Sequence, residues 1–448
     1  MKNKIYKEIA SLLSVSIFDK GLVLIKGYFL LYYLNPAEYG LINIINQVKN
    51  LAKYSDLGFN SVVERDYSFY ININPNEARR IRNLGYTLEL GLSLIFFVAL
   101  FLISFKYCDN ETVFIGIIFA AIAFLFQKII NIYKTDFKIS IRFLTFSKIN
   151  LIQSIVLNIS IIFGVIYFGI YAPLIVPAFA LFFVTLYLYK SYNLNYKFYF
   201  NYKKFKRIIG TSIKIGGLTV LTGIGIYLER FYILEKYNLE AVGFFGVVFF
   251  IITTFQMVVY DIARPYMPRS REAIGNGDFG YLKTSVLRPT LISIPCLSAI
   301  IILSYYIFPI LIDCFLAKYS LSISILISML PMIYYVGVSS FSGYILYSKG
   351  IDDFVSIYMA MASYIMVMGI CFFIIEDEVI SFELIGLSFS ISMFFKSFIT
   401  LFGSLKLFFG KFMAFWYSFL INILPFIIMS LLSDEFLSNV LFLFYNIK

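Results

Sequence analysis

The class of this protein follows from one stretch of its sequence, Pro36-Ala-Glu-Tyr-Gly-Leu-Ile-Asn-Ile-Ile-Asn-Gln-Val-Lys-Asn-Leu-Ala-Lys-Tyr-Ser-Asp-Leu-Gly-Phe-Asn-Ser-Val-Val-Glu-Arg-Asp66. It opens at the turn-forming pair Asn35-Pro36 and predicts a helix over residues 38–62. Polar side chains recur along this helix at steps of three and four residues, so they share one face. They are Asn46, Lys49 or Asn50, Lys53, Asp56 and Asn60. A charged stripe between apolar segments must face protein or a water-filled cavity, so the stretch predicts a membrane helix that lines a polar path.

Composition indicates that the chain is an integral membrane protein. Its 448 residues are 60% hydrophobic and 14% charged, whereas about a quarter of the residues in soluble domains are charged. The net charge of +11 comes largely from basic residues between apolar stretches, which fits cytoplasmic loops better than nucleic-acid binding. The sequence contains no histidine, the usual general base and the commonest metal ligand. Membrane enzymes that rely on a catalytic histidine, or on a metal held by histidine, are therefore excluded. We expect no enzyme, no metal site and no cofactor.

Apolar stretches of roughly 20 residues, the length that crosses a bilayer, recur along the chain. They cover residues 10–33, 38–62, 84–105, 112–133, 146–168, 172–189, 209–234, 240–264, 286–311, 321–347, 353–375, 380–405 and 412–432, with a shorter segment at 436–447. Basic loops alternate with acidic or uncharged ones, which predicts cytoplasmic termini by the positive-inside rule. The predicted fold class is all-α, a polytopic membrane helix bundle of about 12 to 14 spans.

A basic, aromatic-rich connection at residues 191–208 falls between two sets of six predicted spans. This placement is typical of transporters built from two halves around a central cavity. We expect an N-terminal lobe at 1–190, the linker at 191–208, a C-terminal lobe at 209–408 and extra helices at 409–448. Prolines that could kink the spans and permit the lobes to rock are Pro173, Pro177, Pro309 and Pro331.

Ionisable side chains inside predicted spans mark the candidate site, because each is unfavourable in lipid unless it faces a cavity or a partner. The candidate cavity cations are Lys26, Lys53, Lys214, Arg230 and Lys396. The candidate polar residues are Asn46, Lys49, Asn50, Gln127, Asn131 and Gln153, and the candidate ion-coupling acids are Asp19, Asp56 and Glu89. Mid-span cations are not matched by as many acids, which favours an anionic cargo such as a lipid-linked diphosphate.

Structural explanations stay open for several of these residues. Lys53 could pair with Asp56 or Asp19, and the amide side chains could join helices rather than bind sugar hydroxyls. Lys128 and Arg264 lie near predicted span ends, where a long basic side chain reaches back to the interface. We interpret these last two as topology charges.

Several stretches resemble one family of membrane proteins. The first loop and second helix of the polysaccharide transporters resemble three stretches of this chain: Leu34-Asn-Pro-Ala-Glu-Tyr-Gly40, Ser55-Asp-Leu-Gly-Phe-Asn60 and Glu64-Arg65. These transporters are the O-antigen and capsule repeat-unit flippases of the multidrug/oligosaccharidyl-lipid/polysaccharide (MOP, MATE-like) superfamily. Asn238-Leu-Glu-Ala-Val-Gly-Phe-Phe-Gly246 is similar to that family's opening of helix eight, and Arg264-Pro-Tyr-Met-Pro268 resembles its exit. The similarity extends over residues 5–405.

The resemblance implies a flippase of the bacterial inner membrane that works by alternating access. Its implied cargo is an undecaprenyl-diphosphate-linked oligosaccharide, moved from the cytoplasmic to the outer leaflet for O-antigen, lipopolysaccharide or capsule synthesis. The candidate coupling ion is H⁺ or Na⁺, with Asp19, Asp56 or Glu89 as its candidate site. A polysaccharide polymerase and a chain-length regulator are the candidate protein partners. Two alternatives stay open. A cation-coupled multidrug exporter of the same superfamily is expected to have an acidic cavity, and a membrane polymerase is expected to need a large outer loop.

Overall fold

A computed structural model describes residues 2–53, 58–71, 73–140, 142–194, 196–263, 280, 288–348, 354–375 and 382–445. The first nine helices are α1 Lys2–Tyr33, α2 Pro36–Lys53, α3 Phe59–Tyr70, α4 Pro75–Ser104, α5 Glu111–Ile139, α6 Phe143–Phe168, α7 Tyr171–Ser191, α8 Tyr202–Lys236 and α9 Leu239–Ala263. The others are α10 Arg288–Phe315, α11 Ser322–Met329, α12 Pro331–Ser348, α13 Phe354–Ile375, α14 Phe382–Leu405, α15 Lys411–Leu432 and α16 Asp434–Tyr445. Two compact units divide the chain, Met1–Gly243 and Phe244–Lys448.

The described part of the chain is predominantly helical and contains no β-strand. Eight of its helices are long and apolar enough to cross a membrane, and α11 with α12 adds a ninth if that bent pair is one span. The predicted all-α, polytopic membrane bundle is thereby confirmed. The total of about 12 to 14 spans, the two lobes and the orientation of the termini stay predictions.

In the first unit, α5 lies at the centre. It packs against α2, α4 and α7, while α1 packs against α6, and α3 packs against α4 and α8. Ile130 of α5 and Leu188 of α7 are fully enclosed in the core between these helices. Because α5 touches so many neighbours, its polar side chains must find partners or a cavity inside the protein.

The predicted single helix over residues 38–62 is wrong. Helix α2 ends at Lys53, and α3 begins at Phe59 directly after Gly58, whose φ of 84° is left-handed. Only glycine adopts that conformation without steric strain, so the chain leaves one helical path and starts another there. Asn60 therefore belongs to α3 and does not continue the polar face of α2. Asp56 lies outside the described residues.

The beginnings of α2 and α9 cross at very short range. A Cβ atom on Gly40 would lie 1.9 Å from the Leu239 carbonyl oxygen, and one on Gly243 would lie 2.0 Å from the Pro36 carbonyl oxygen. The crossing is reciprocal, because each glycine meets the first residue of the other helix. Only glycine permits backbones to approach this closely.

The linker between α7 and α8 is anchored on α4. The Tyr196 hydroxyl lies 2.9 Å from Thr87 Oγ1, and the Tyr199 amide donates to the same oxygen at 3.2 Å. Lys204, near the start of α8, forms an ion pair with Glu77. The linker therefore has one side packed on the first unit, while Phe198 is 78% exposed.

In the second unit, α14 packs against α11, α12 and α13. Buried serines make this close packing possible, since Ser390 Oγ donates to the Ser328 carbonyl at 2.8 Å and Ser404 Oγ donates to the Ser342 carbonyl at 2.7 Å. Helices α11 and α12 meet at an angle of 41° directly before Pro331. The predicted kink at Pro331 is confirmed, because proline cannot donate the hydrogen bond that would continue α11.

Candidate functional site

A cavity of about 360 Å³ lies within the first unit, among α1, α2, α5, α6 and α7. Its polar lining consists of Lys26, Asn46, Lys49, Gln127, Lys128 and Asn131. The rest of the lining is apolar and includes Pro173 and Pro177 of α7. This volume falls within the usual range for small-molecule sites, about 300 to 1,000 Å³. The cavity therefore combines an apolar wall with a limited set of polar groups.

Three lysines from three helices give the cavity its charge. Lys26 comes from α1, Lys49 from α2 and Lys128 from α5, and Lys49 Nζ donates to Asn46 Oδ1 at 2.9 Å. Lys128 is only 2% exposed, and its ammonium lies 5.7 Å from the centre of the Phe124 ring. No acidic residue is among the described side chains that line the cavity. The site is thus electropositive and suited to an anion.

Amide side chains form a continuous hydrogen-bonded array beside these lysines. Lys134 Nζ donates to Gln153 Oε1 at 2.6 Å, and Gln153 Nε2 donates to Gln127 Oε1 at 2.7 Å. Gln127 Nε2 in turn donates to Asn131 Oδ1 at 2.9 Å. Gln127 and Asn131 line the cavity, whereas Gln153 reaches them from α6. Hydrogen bonds between helices thus hold the cavity amides in fixed orientations.

Lys128 is the cavity residue that the sequence interpretation missed. The chain pattern ends the span at 133, which makes Lys128 a charge near the interface. In the structure α5 continues to Ile139, so Lys128 lies eleven positions before its end and is buried. The interpretation of Lys128 as a topology charge is wrong. Its spacing from Gln127 and Asn131, one and three residues away, is the signal that could have assigned it to the same helical region.

The other predicted cations are placed differently. Arg230 of α8 is 8% exposed and faces the Gln47 amide of α2. Lys396 belongs to the second unit, where its ammonium lies 5.7 Å from the centre of the Tyr364 ring. Neither residue lines the cavity described above. The side chains of Asn50, Lys53 and Lys214 lie outside the described part of the structure, as does Arg264, so their roles stay predictions.

Two of the predicted ion-coupling acids, Glu89 and Asp19, are not among the described residues that line the cavity. Glu89 of α4 is fully buried, and its Oε1 accepts a hydrogen bond from Asn60 Nδ2 at 2.9 Å. Asp19 is half-buried on α1, seven residues before Lys26 and therefore on the same helical face. Ion coupling at Glu89 and Asp19 therefore stays a prediction.

Comparison with solved structures identifies the architecture. An inward-facing multidrug resistance MATE family transporter of the MOP superfamily matches with a TM-score of 0.68 and 12% identity over 93% of this chain and 98% of that one. The lipid II flippase MurJ in an inward closed conformation matches with a TM-score of 0.62 and 17% identity over 94% of this chain and 97% of that one. At these identities the similarity establishes the fold.

Comparison at the level of sequence identifies the family. No curated protein matches the sequence. The family model described as "Polysaccharide biosynthesis protein" matches residues 32–314, well over half of the chain. The matched region includes α2 and α5, which contribute most of the polar cavity lining. The chain is therefore a member of the polysaccharide biosynthesis protein family with the fold of the MOP-superfamily transporters.

Proposed function

We propose that the protein is a flippase that moves undecaprenyl-diphosphate-linked oligosaccharide repeat units from the cytoplasmic to the outer leaflet. The observation that carries this proposal is the cavity that combines Lys26, Lys49 and Lys128 with the amides of Asn46, Gln127 and Asn131. The family assignment supports a role in the synthesis of O-antigen or capsular polysaccharide. The MurJ likeness supports a lipid-linked cargo.

The lysines supply what a diphosphate needs when it leaves water. A diphosphate carries several negative charges, and moving them into a site of low dielectric is unfavourable unless cations neutralise them. Each ammonium provides three hydrogen-bond donors, so lysines from three helices can contact the anion from different sides. The cavity cations thus bind the group that all such lipids share.

The remaining parts of the cargo fit the other surfaces. Sugar hydroxyls can exchange hydrogen bonds with the amides of Asn46, Gln127 and Asn131, while the lipid chain stays in the bilayer. Alternating access then carries the polar head across. Asp19 and Glu89 are the candidate sites for a coupling H⁺ or Na⁺, and a polymerase and a chain-length regulator are proposed partners on the product side.

A cation-coupled multidrug exporter is the second candidate, because a multidrug resistance MATE transporter has the same fold. Cationic drugs need acidic side chains in the binding cavity. The described lining has three lysines and no acid, which favours an anionic cargo. A polymerase would instead need a sizeable outer loop that carries its catalytic groups, and every predicted outer loop of this chain is short.

The test is deletion of the gene followed by complementation with variants. Lys49→Ala and Lys128→Ala are expected to lower surface polysaccharide and to leave lipid-linked repeat units in the cytoplasmic leaflet. Lys190→Ala, a matched variant at an exposed lysine, is expected to behave as wild type. Immunoblots of membranes verify equal insertion. Repeat units that reach the outer leaflet unpolymerised in the deletion strain would exclude the flippase function and favour the polymerase.

A further inference from the structure

The amide array has a direction, and a lysine at its end sets that direction. A lysine ammonium only donates hydrogen bonds, so the atom of Gln153 that faces Lys134 Nζ at 2.6 Å must be the oxygen. The amide nitrogen of Gln153 then faces Gln127 and donates to its oxygen at 2.7 Å. Gln127 must in turn donate to Asn131 Oδ1, at 2.9 Å.

The consequence appears at the cavity end of the array. With its oxygen used as an acceptor, Asn131 is left with its Nδ2 group as the last donor of the array. Asn131 is half-buried and lines the cavity. Reversal of every amide would present the oxygen of Asn131 instead, and Lys134 disfavours that state because its ammonium would face the Gln153 nitrogen.

We propose that Lys134 is a positioning residue that fixes this polarity, so that Asn131 offers N–H donors to acceptor groups on the sugar of the cargo. This inference rests on the proposed flippase function and adds a selection rule to it. The favoured sugars carry strong acceptors, such as a carboxylate or the carbonyl of an acetamido group, at the position that meets Asn131. Lys134 lines no part of the cavity among the described residues, so it acts through the array and not by contact with cargo.

A charge reversal at the anchor tests the idea directly. In Lys134→Glu, the carboxylate accepts where the ammonium donated, which turns Gln153, then Gln127, and leaves the Asn131 oxygen facing the cavity. Lys134→Arg keeps the donor and therefore the polarity. Lys134→Met removes the anchor without adding a charge, and it serves if the reversal does not fold. Lys148→Glu, at an exposed site on α6, gives the same change in net charge away from the array.

The measurement compares two probes on purified full-length protein in nanodiscs. One probe is undecaprenyl diphosphate, and the other is the lipid-linked oligosaccharide extracted from the deletion strain. Both carry a diphosphate, and the free terminal phosphate of undecaprenyl diphosphate is the same for every variant, so a change in the ratio of the two dissociation constants between variants isolates the sugar. Wild type, Lys134→Arg and Lys148→Glu are expected to bind the oligosaccharide-linked probe on the order of tenfold more tightly than undecaprenyl diphosphate. Lys134→Glu is expected to bring the ratio to one or below, and Lys134→Met to an intermediate value.

Different results overturn different parts of the reasoning. If wild type binds neither probe, the proposed flippase function fails and takes this inference with it. If wild type binds undecaprenyl diphosphate but Lys134→Glu leaves the ratio unchanged, the flippase proposal survives and the role of Lys134 is wrong. An equal loss of affinity for both probes in Lys134→Glu, but not in Lys148→Glu, would mean that Asn131 meets the diphosphate and would overturn the assignment to the sugar.

Discussion

Alanine at Gly40 provides a sharp test of the helix crossing at the start of α2. Its Cβ would lie 1.9 Å from the Leu239 carbonyl oxygen, 2.9 Å from the Leu239 carbonyl carbon and 3.0 Å from the Gly243 nitrogen. Non-bonded heavy atoms prefer separations of about 3.5 Å, so the two helix starts must move apart by roughly 1.5 Å. The obstructing atoms are backbone and cannot rotate away. Overpacking of this kind typically destabilises a protein by about 1–3 kcal/mol.

The assay is thermal unfolding of the purified protein in detergent. Gly40→Ala and Gly243→Ala are each expected to lower the melting temperature. Gly91→Ala on α4, where nothing lies within 4 Å of the added Cβ, is expected to hold or raise it, because alanine favours helix over glycine by about 1 kcal/mol. The double variant is expected to lose less than the sum, since the separation forced by one methyl makes room for the other. A Gly40→Ala protein that melts like the Gly91→Ala control would refute the close crossing.

Two further predictions concern buried charges. Lys128→Met is expected to weaken binding of undecaprenyl diphosphate by about tenfold or more, because it removes one charge-assisted contact from a desolvated site. Lys190→Met, at an exposed site, is expected to leave that affinity unchanged. Binding titrations compare the two variants, and equal affinities would remove Lys128 from the site. Glu89→Gln keeps an acceptor for Asn60 and is expected to melt near wild type, while Glu89→Leu leaves that amide without its acceptor and loses about 1–3 kcal/mol. Equal melting of the two Glu89 variants would contradict the buried hydrogen bond.

Hydropathy predicts where spans lie but not where helices end. The third span is predicted at 84–105, yet α4 begins at Pro75, with Asn74 Oδ1 accepting from the Glu77 amide at 3.1 Å. Its first turns are amphipathic, since Arg79 and Arg80 are exposed while Ala78 and Ile81 are buried. A sequence window averages the hydropathy of polar and apolar residues, so the mean hydropathy of an amphipathic turn is too low for it to be counted as part of a span. The same averaging shortens α5 and hides Lys128.

The polar site was easier to anticipate than its partners. Mid-span position alone selects Lys26, Lys49, Gln127 and Asn131, since ionisable and amide groups in a span need a cavity or one another. Whether such a group faces a cavity or another side chain depends on the distances between helices, and helix packing cannot be derived from the pattern of a single sequence. Arg230 illustrates this, because its position resembles that of a cavity cation while its guanidinium faces Gln47.

The stretches that carried the family resemblance now have a physical explanation. Residues 34–40 and 238–246 each contain an asparagine cap followed by a glycine five residues later. Asn35 Oδ1 accepts from the Glu38 amide at 2.8 Å, and Asn238 Oδ1 accepts from the Ala241 amide at 2.9 Å. The glycines then form the reciprocal crossing. These motifs specify how two helices start and meet, so they indicate the fold of the family and carry no information about the cargo.

Under the proposed function, the three lysines give cargo binding a conformational consequence. Lys26, Lys49 and Lys128 belong to three helices, so a diphosphate held by all three ammonium groups contacts α1, α2 and α5 at once. A cargo shifts a conformational equilibrium only by its differential affinity for the two states, and an anion that bridges three helices favours the state in which those helices are close together. A lipid-linked sugar without phosphate cannot form this bridge. Binding of the diphosphate therefore does more than hold the cargo, because it also favours the state in which the cavity closes around it.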